Sequence, residues 1–316
     1  MNQQGGRDRF GSFAWAVLAF NLGVIGWGAF VRATGSGAGC GSHWPLCNGQ
    51  VFPRAPAVET LIEFVHRASS GMALVLVAIL VVWGYRRFPR GALARRAAGW
   101  SGVFILTEAL LGAGLVLFRL VAQDASATRA VSVALHLANT YLLLGALCLT
   151  AWWATHPDVG WGVDRNGKIW MTLAGLGMLL LGMSGAVTAL GDTLFPVESL
   201  QQGLLQDLSA SSHFLQRVRV LHPLLAILIG ILVGVGAFEL RARRDTPNVR
   251  RASLAVWVLI AGQWAAGLVN LALLAPIGIQ LLHLLLSDGL WIAWVILCAA
   301  YAAAPGDTSP TGRTLA

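Results

Sequence analysis

The sequence predicts an all-α integral membrane protein, with eight transmembrane helices arranged as two pseudo-symmetric four-helix bundles. Three observations carry this. The 316 residues are 56% hydrophobic and only 11% charged, whereas a soluble domain carries about 25% charged residues. Eight apolar runs are each long enough to cross a bilayer, which takes about 20 residues. The second half of the chain also repeats landmarks of the first.

The runs cover roughly 14–33, 66–85, 98–118, 132–153, 170–190, 220–240, 253–273 and 279–302. The first follows Arg7 and Arg9 and reads as a retained helix. It is long, and no small-residue cleavage site stands before the glycine-rich loop. The 13 Trp and 37 Gly suit membrane interfaces and membrane helices. With the N-terminus in the cytoplasm, cytoplasmic segments hold 15 of the 22 Lys and Arg, chiefly in RRFPRGALARR and RARRDTPNVRR. The positive-inside rule therefore puts both termini in the cytoplasm. The net charge of +8 is a topology signal and gives no reason to invoke nucleic acid.

VRATGSG begins at Val31 and VTALGDT at Val187, 156 residues later, and the same interval separates His66 from His222. GLV recurs at Gly114 and Gly267, and His136 and His283 mark the fourth and eighth helices. An even number of helices per half makes this a parallel repeat. The chain divides into residues 1–155 and 156–316, joined by a cytoplasmic segment near 154–169.

Of seven histidines, His43, His156 and His213 fall in loops, His213 facing solvent. His66, His136, His222 and His283 fall near the starts of helices that all run inward, so they lie at similar depth toward the outer leaflet. One such histidine is readily an ordinary interface residue. Four at equivalent positions point to function, because such groups are costly in a membrane. Neutral imidazole binds iron, copper or zinc. Thiolates are absent at this depth, and walls of Leu, Val, Ala and Gly suit a flat apolar macrocycle in a bundle core. Two heme sites follow, His66 with His136 and His222 with His283. With one histidine per helix the hemes sit side by side, which suits one heme serving chemistry at the other.

The halves differ beside these histidines. Glu63 shares a helix face with His66, and the position 156 residues later is Arg219. A carboxylate near a reactive carbon can take a proton or stabilise positive charge, so the chemistry is assigned to the N-terminal half. An arginine suits a heme propionate, and Arg67, Arg217 and Arg219 are the candidates. Glu63 could instead form an interfacial ion pair with Arg67, and the arginines could snorkel to the interface. Glu108 in the third helix matches a neutral Gln263 in the seventh, which favours a packing or hydrogen-bonding role over a proton path. Cys148 and Cys298 read as small core residues. Residues 199–209 suggest a short interfacial helix, and the tail APGDTSPTGRTLA reads as disordered.

ATGSGAGCGSHWPLCNGQ, IEFVHR, ALHLANT, RVLHP and QLLHLLLSD together resemble the heme A synthase family, in order and spacing, over nearly the whole chain. The resemblance implies oxidation of the C8 methyl of heme O to a formyl group, giving heme A for cytochrome c oxidase. It implies heme b as cofactor on His222 and His283, heme O as substrate between His66 and His136, and Glu63 as the essential glutamate. It further implies two hydroxylations, loss of water from a gem-diol, and water as the oxygen source through a carbocation-like species. A Cys40–Cys47 disulfide is implied in the first outer loop. The second cysteine pair of some members is missing, since 191–219 holds no cysteine. The disulfide is structural or redox-active; metal binding by Cys40, His43 and Cys47 matches no common spacing. A multi-pass bacterial plasma membrane protein is implied, in contact with membrane lipid. Pathway order suggests a heme O synthase and oxidase assembly factors as partners, and a homo-oligomer is compatible. Two rivals stand beside this reading. A di-heme electron-transfer cytochrome would use the same ligands without Glu63, with hemes on both sides. A transporter on a parallel repeat would show broken helices with polar midplanes.

Overall fold

The computed structural model describes residues 3–156 and 159–305. Ten helices form among them: α1 (Gln3–Ala33), α2 (Val58–Arg87), α3 (Leu93–Leu117), α4 (Ala127–Thr155), α5 (Arg165–Leu194), α6 (Leu200–Leu208), α7 (Phe214–Arg219), α8 (Leu221–Arg243), α9 (Pro247–Ala272) and α10 (Ile277–Ala302). Two short strands, β1 (Val159–Trp161) and β2 (Ala303–Pro305), complete the fold. Eight spans are long and apolar enough to cross a membrane, with α7 and α8 continuing as one, Phe214–Arg243. The protein is a multi-pass membrane protein.

The helices outrun the apolar stretches because polar residues extend both ends. α2 begins at Val58, so His66 lies about two turns inside it rather than at its opening. α4 begins at Ala127, where the Ser126 side chain accepts from the Arg129 amide. Asp164 caps α5 in the same way, and Thr246 caps α9 with a proline in its first turn. Each cap satisfies a backbone N–H that has no partner within the helix.

α1 packs on α2 and α4, α2 on α3, and α3 on α4; α5 packs on α8, α8 on α9, and α9 on α10. α4 also packs against α5 and α10, and α1 against α10. Outward faces carry large apolar side chains such as Leu110, Leu180, Leu228 and Leu268. In water these would be a liability; lipid is their matching solvent. At the α4–α10 contact Tyr141 stacks on Trp291, with ring centres 5.3 Å apart and planes 12° from parallel. The Trp291 indole N–H donates to the Tyr141 carbonyl at 2.6 Å. Arg32 reaches out of α1 to two other helices. Its Nη1 donates to the Ala189 carbonyl (2.6 Å) and Thr193 Oγ1 (2.8 Å) on α5, and its Nη2 to Gln280 Oε1 on α10 (3.1 Å).

The amphipathic stretch at 199–209 forms α6, capped by Ser199. His213, expected to face solvent, is half-buried. It caps α7 by accepting from the Leu215 amide, and it stacks on Phe195 with ring centres 5.0 Å apart. A ring flanked by aromatics on a helix start hides more surface than a loop histidine would.

β1 and β2 pair antiparallel, Val159 opposite Pro305 and Trp161 opposite Ala303. The expected disordered tail began at Ala304, but Ala304 and Pro305 belong to this strand; the remainder, 306–316, lies outside the described residues. Arg244 pins the strand entry, its Nη1 donating to the carbonyls of Tyr301 (2.5 Å) and Ala303 (3.0 Å). The Tyr301 hydroxyl donates to Asp164 Oδ1, which holds this exposed carboxyl below the usual carboxylate range.

Candidate functional site

The loop between α1 and α2 closes on the first turns of α2. Cys40 and Cys47 form a disulfide within it. A Cβ on Gly39 would stand 2.5 Å from the Glu59 carbonyl oxygen, so only glycine lets the loop backbone lie this close to α2. With that approach made, Thr60 Oγ1 donates to the Gly39 carbonyl at 2.8 Å, and the Cys40 amide donates to Glu63 Oε2 at 2.8 Å. Arg67 completes the clamp. Its Nε and Nη2 donate to Glu63 Oε1 at 3.0 and 2.6 Å, and its Nη1 to the Leu46 carbonyl at 2.7 Å and to the His43 carbonyl. The Glu63 and Arg67 side chains are 4% and 11% exposed. Glu63 is thus a buried carboxylate fixed by three N–H donors, one turn before His66.

The four helix histidines share a local environment. Each ring lies against a glycine of the preceding transmembrane helix. A Cβ on Gly28 would stand 2.8 Å from His66 Cε1, and one on Gly185 3.0 Å from His222 Cε1. The matching distances are 3.3 Å from Gly267 to His283 and 3.9 Å from Gly112 to His136. The shared GLV triplet marks one of these positions, Gly267, and misses its counterpart, since Gly114 meets only Phe118 of its own helix end. Nothing in the sequence sets Gly28, Gly112 or Gly185 apart as ring-facing. Glycine every few residues is normal in membrane helices, and only the contact selects these four.

His222 and His283 face each other with ring centres 6.5 Å apart and planes at 87°. A metal–imidazole bond is about 2 Å, so two imidazoles on opposite sides of one ion have ring centres roughly 6 Å apart. His66 and His136 are within electrostatic range of each other. The Nδ1 atoms of His66, His136 and His283 are buried without a hydrogen-bond partner, while His222 Nδ1 pairs with Ser184 Oγ at 2.8 Å. Buried polar atoms are normally satisfied, so three such rings mark a site. Among the described residues no three His, Cys, Asp or Glu cluster as a metal site would require. An ion held by only two imidazoles must bring its other ligands with it, as a porphyrin does with four in-plane nitrogens. Two imidazoles are a donor set that heme accepts, and His222 and His283 face each other at a separation that fits it.

Of the remaining candidates, Arg219 is buried and held by carboxylates. Its Nε and Nη2 donate to Asp207 Oδ1 at 3.0 and 2.7 Å, and its Nη1 to Asp192 Oδ1 at 3.3 Å. Arg217, in the same short helix, is exposed. Glu108 accepts from Asn139 Nδ2 and Thr140 Oγ1 at 2.6 and 2.5 Å. Gln263 donates to the His283 carbonyl at 3.0 Å. Cys148 is buried, Cys298 half-buried, and neither is in a disulfide. Asp288 lies five residues after His283. It is completely buried and neither carboxyl oxygen has a hydrogen-bond partner.

An all-helical multi-span chain with paired imidazoles defines a class of heme-handling membrane proteins. Residues 11–295 match the family model described as cytochrome oxidase assembly protein, and the chain belongs to this family, that of the heme A synthases. It is 50% identical to a protoheme IX farnesyltransferase of Thermus thermophilus over 298 residues, 93% of this chain and 48% of that protein. The chain thus spans about half the length of that relative. It is 43% identical to the heme A synthase of Alkalihalophilus pseudofirmus over 91 residues, 29% of this chain and 31% of that protein. Identity to the heme A synthase of Shouchella clausii is 47% over 91 residues, 29% of this chain and 30% of that protein.

Proposed function

We propose that the chain is a heme A synthase, oxidising the C8 methyl of heme O to a formyl group. The carrying observation is the pairing of imidazoles against glycines, with a clamped carboxylate beside one pair only. His66 and His136 would hold the substrate heme O, and His222 and His283 a resident heme b. Two similar halves, 1–155 and 156–316, would each carry one site, with both termini in the cytoplasm and the disulfide loop outside a bacterial plasma membrane.

The resident heme would supply one-electron redox chemistry beside the substrate. The chain's own residues do the rest. Converting the methyl to a formyl group with water as oxygen source releases four protons and four electrons, and the electrons would leave one at a time, through the resident heme, to an external electron acceptor. Positive charge therefore develops beside the ring, and a fixed carboxylate stabilises it and accepts protons. Glu63 is held for this by the Cys40 amide and Arg67, so it does not have to reorganise during reaction. Arg67 and Arg219 are engaged by protein acceptors, so Arg217 is the more available propionate partner of the three.

The name of the Thermus relative favours a second activity, farnesyl transfer to protoheme. About half of that relative lies outside the match, which leaves room there for the activity it is named for. Such a transfer would supply the farnesylated heme oxidised here, and it supports a heme O synthase as partner.

The test is pigment extraction from cells expressing this chain with a heme O synthase. Heme A with a formyl signature is expected, and its loss in Glu63→Gln. Only heme b in the extract would favour an electron-transfer cytochrome, and unchanged heme A yield in Glu63→Gln would remove Glu63 from the mechanism.

A further inference from the structure

Glu108 sits on α3 at the level of His136 on α4. Its Oε1 lies 3.5 Å from His136 Nδ1, at ion-pair range but short of hydrogen-bond geometry. Three residues aim this carboxyl at the ring. Asn139 Nδ2 donates to its Oε2 at 2.6 Å, Thr140 Oγ1 contacts its Oε1 at 2.5 Å, and Thr107 Oγ1 donates to Asn139 Oδ1 at 2.6 Å, fixing the amide. The His136 ring N–H has no other acceptor, since Nδ1 is buried without a hydrogen-bond partner. The second half lacks this arrangement. There the Gln263 amide donates to the His283 main chain, and among the described residues the one hydrogen-bond partner of either ring is the neutral hydroxyl of Ser184 on His222.

We propose that Glu108 is a positioning residue for His136, the acceptor of its ring N–H, and that it makes the first imidazole pair more electron-donating than the second. This rests on the reading above, in which His136 is a ligand of the substrate heme. A carboxylate accepting from the distal N–H of a metal-bound imidazole fixes its tautomer and raises the basicity of the ligating nitrogen. For heme iron, such hydrogen bonding to the axial ligand lowers the reduction potential. The substrate is the heme that must give up electrons, so the asymmetry has the direction that oxidation needs. A carboxylate in mid-helix is costly, and a packing role alone would be served by glutamine, as at Gln263.

The experiment is a redox titration of protein purified with both hemes bound, comparing wild type with Glu108→Gln, which keeps the volume. The potential of the heme at His66 and His136 should rise, while that of the resident heme stays put and reports an intact fold. Loss of only the first heme, by roughly ten- to a hundredfold weaker binding, would also support the proposal. A wild-type potential and ligand spectrum in Glu108→Gln would overturn it. If Glu108→Gln lost both hemes, Glu108→Asp would be titrated instead; a raised potential supports the proposal and an unchanged one overturns it. The underlying reading fails separately, if His136→Ala retains both hemes with unaltered spectra.

Discussion

Arg67 grips the Glu63 carboxylate with two donors from one turn further along α2, and both side chains are almost sealed from water. Breaking a buried pair from one side strands the other charge, at about 3–5 kcal/mol. Arg67→Ala should therefore melt well below wild type, and Glu63→Ala/Arg67→Ala should recover part of the loss. Thermal unfolding in detergent, followed by heme absorbance, measures both. Losses that simply add would show that the two residues are not coupled.

Gly28→Ala should damage the first site. The new methyl would stand 2.8 Å from His66 Cε1 and 3.1 Å from its Nε2, so the ring has to move. Overpacking of this kind costs about 1–3 kcal/mol. Heme bound at His66 and His136 should fall while resident heme is retained. Gly23→Ala, where nothing lies within 4 Å, is the control and should bind heme normally.

Asp288 is a stability cost in the described structure. An unsatisfied buried carboxyl costs about 1–3 kcal/mol, and neither of its oxygens has a partner. Asp288→Leu should raise the melting temperature. A lower melting temperature would contradict an unpaired carboxyl in this core.

The β1–β2 junction should loosen in acid. Tyr301 lowers the pKa of Asp164 in the folded state. The stabilisation is therefore complete above the ordinary carboxylate value, about 4, and is lost as pH falls through the lowered folded value. In Tyr301→Phe that loss should begin at higher pH. Hydrogen exchange over 159–168, read by mass spectrometry against pH, should show the difference; coincident profiles would rule out the Tyr301 contribution.

What the sequence made legible follows from cost. Four histidines and Glu63 stand out in apolar runs because such residues are expensive there, and the Glu63–Arg67 pair is readable from its spacing of four. Eight spans are readable from length alone. What depends on contact was hidden. Gly28 and Gly185 look like any of 37 glycines until a ring is seen against them. The half-burial of the His213 ring depends on Phe195 stacked beside it, and the strand at Ala303–Pro305 needs a partner over a hundred residues away. Asp288 follows a serine within an apolar run, and nothing local says that its carboxyl is left unpaired.

Arg32 joins the first half of the chain to the second. Its guanidinium leaves α1 and is satisfied only by α5 and α10. Parting these helices would cost three hydrogen bonds of a half-buried guanidinium, so Arg32 ties α1 to α5 and α10. In the function proposed above, that tie would hold the α1 face that meets His66 at Gly28 against the two helices that meet His222 and carry His283.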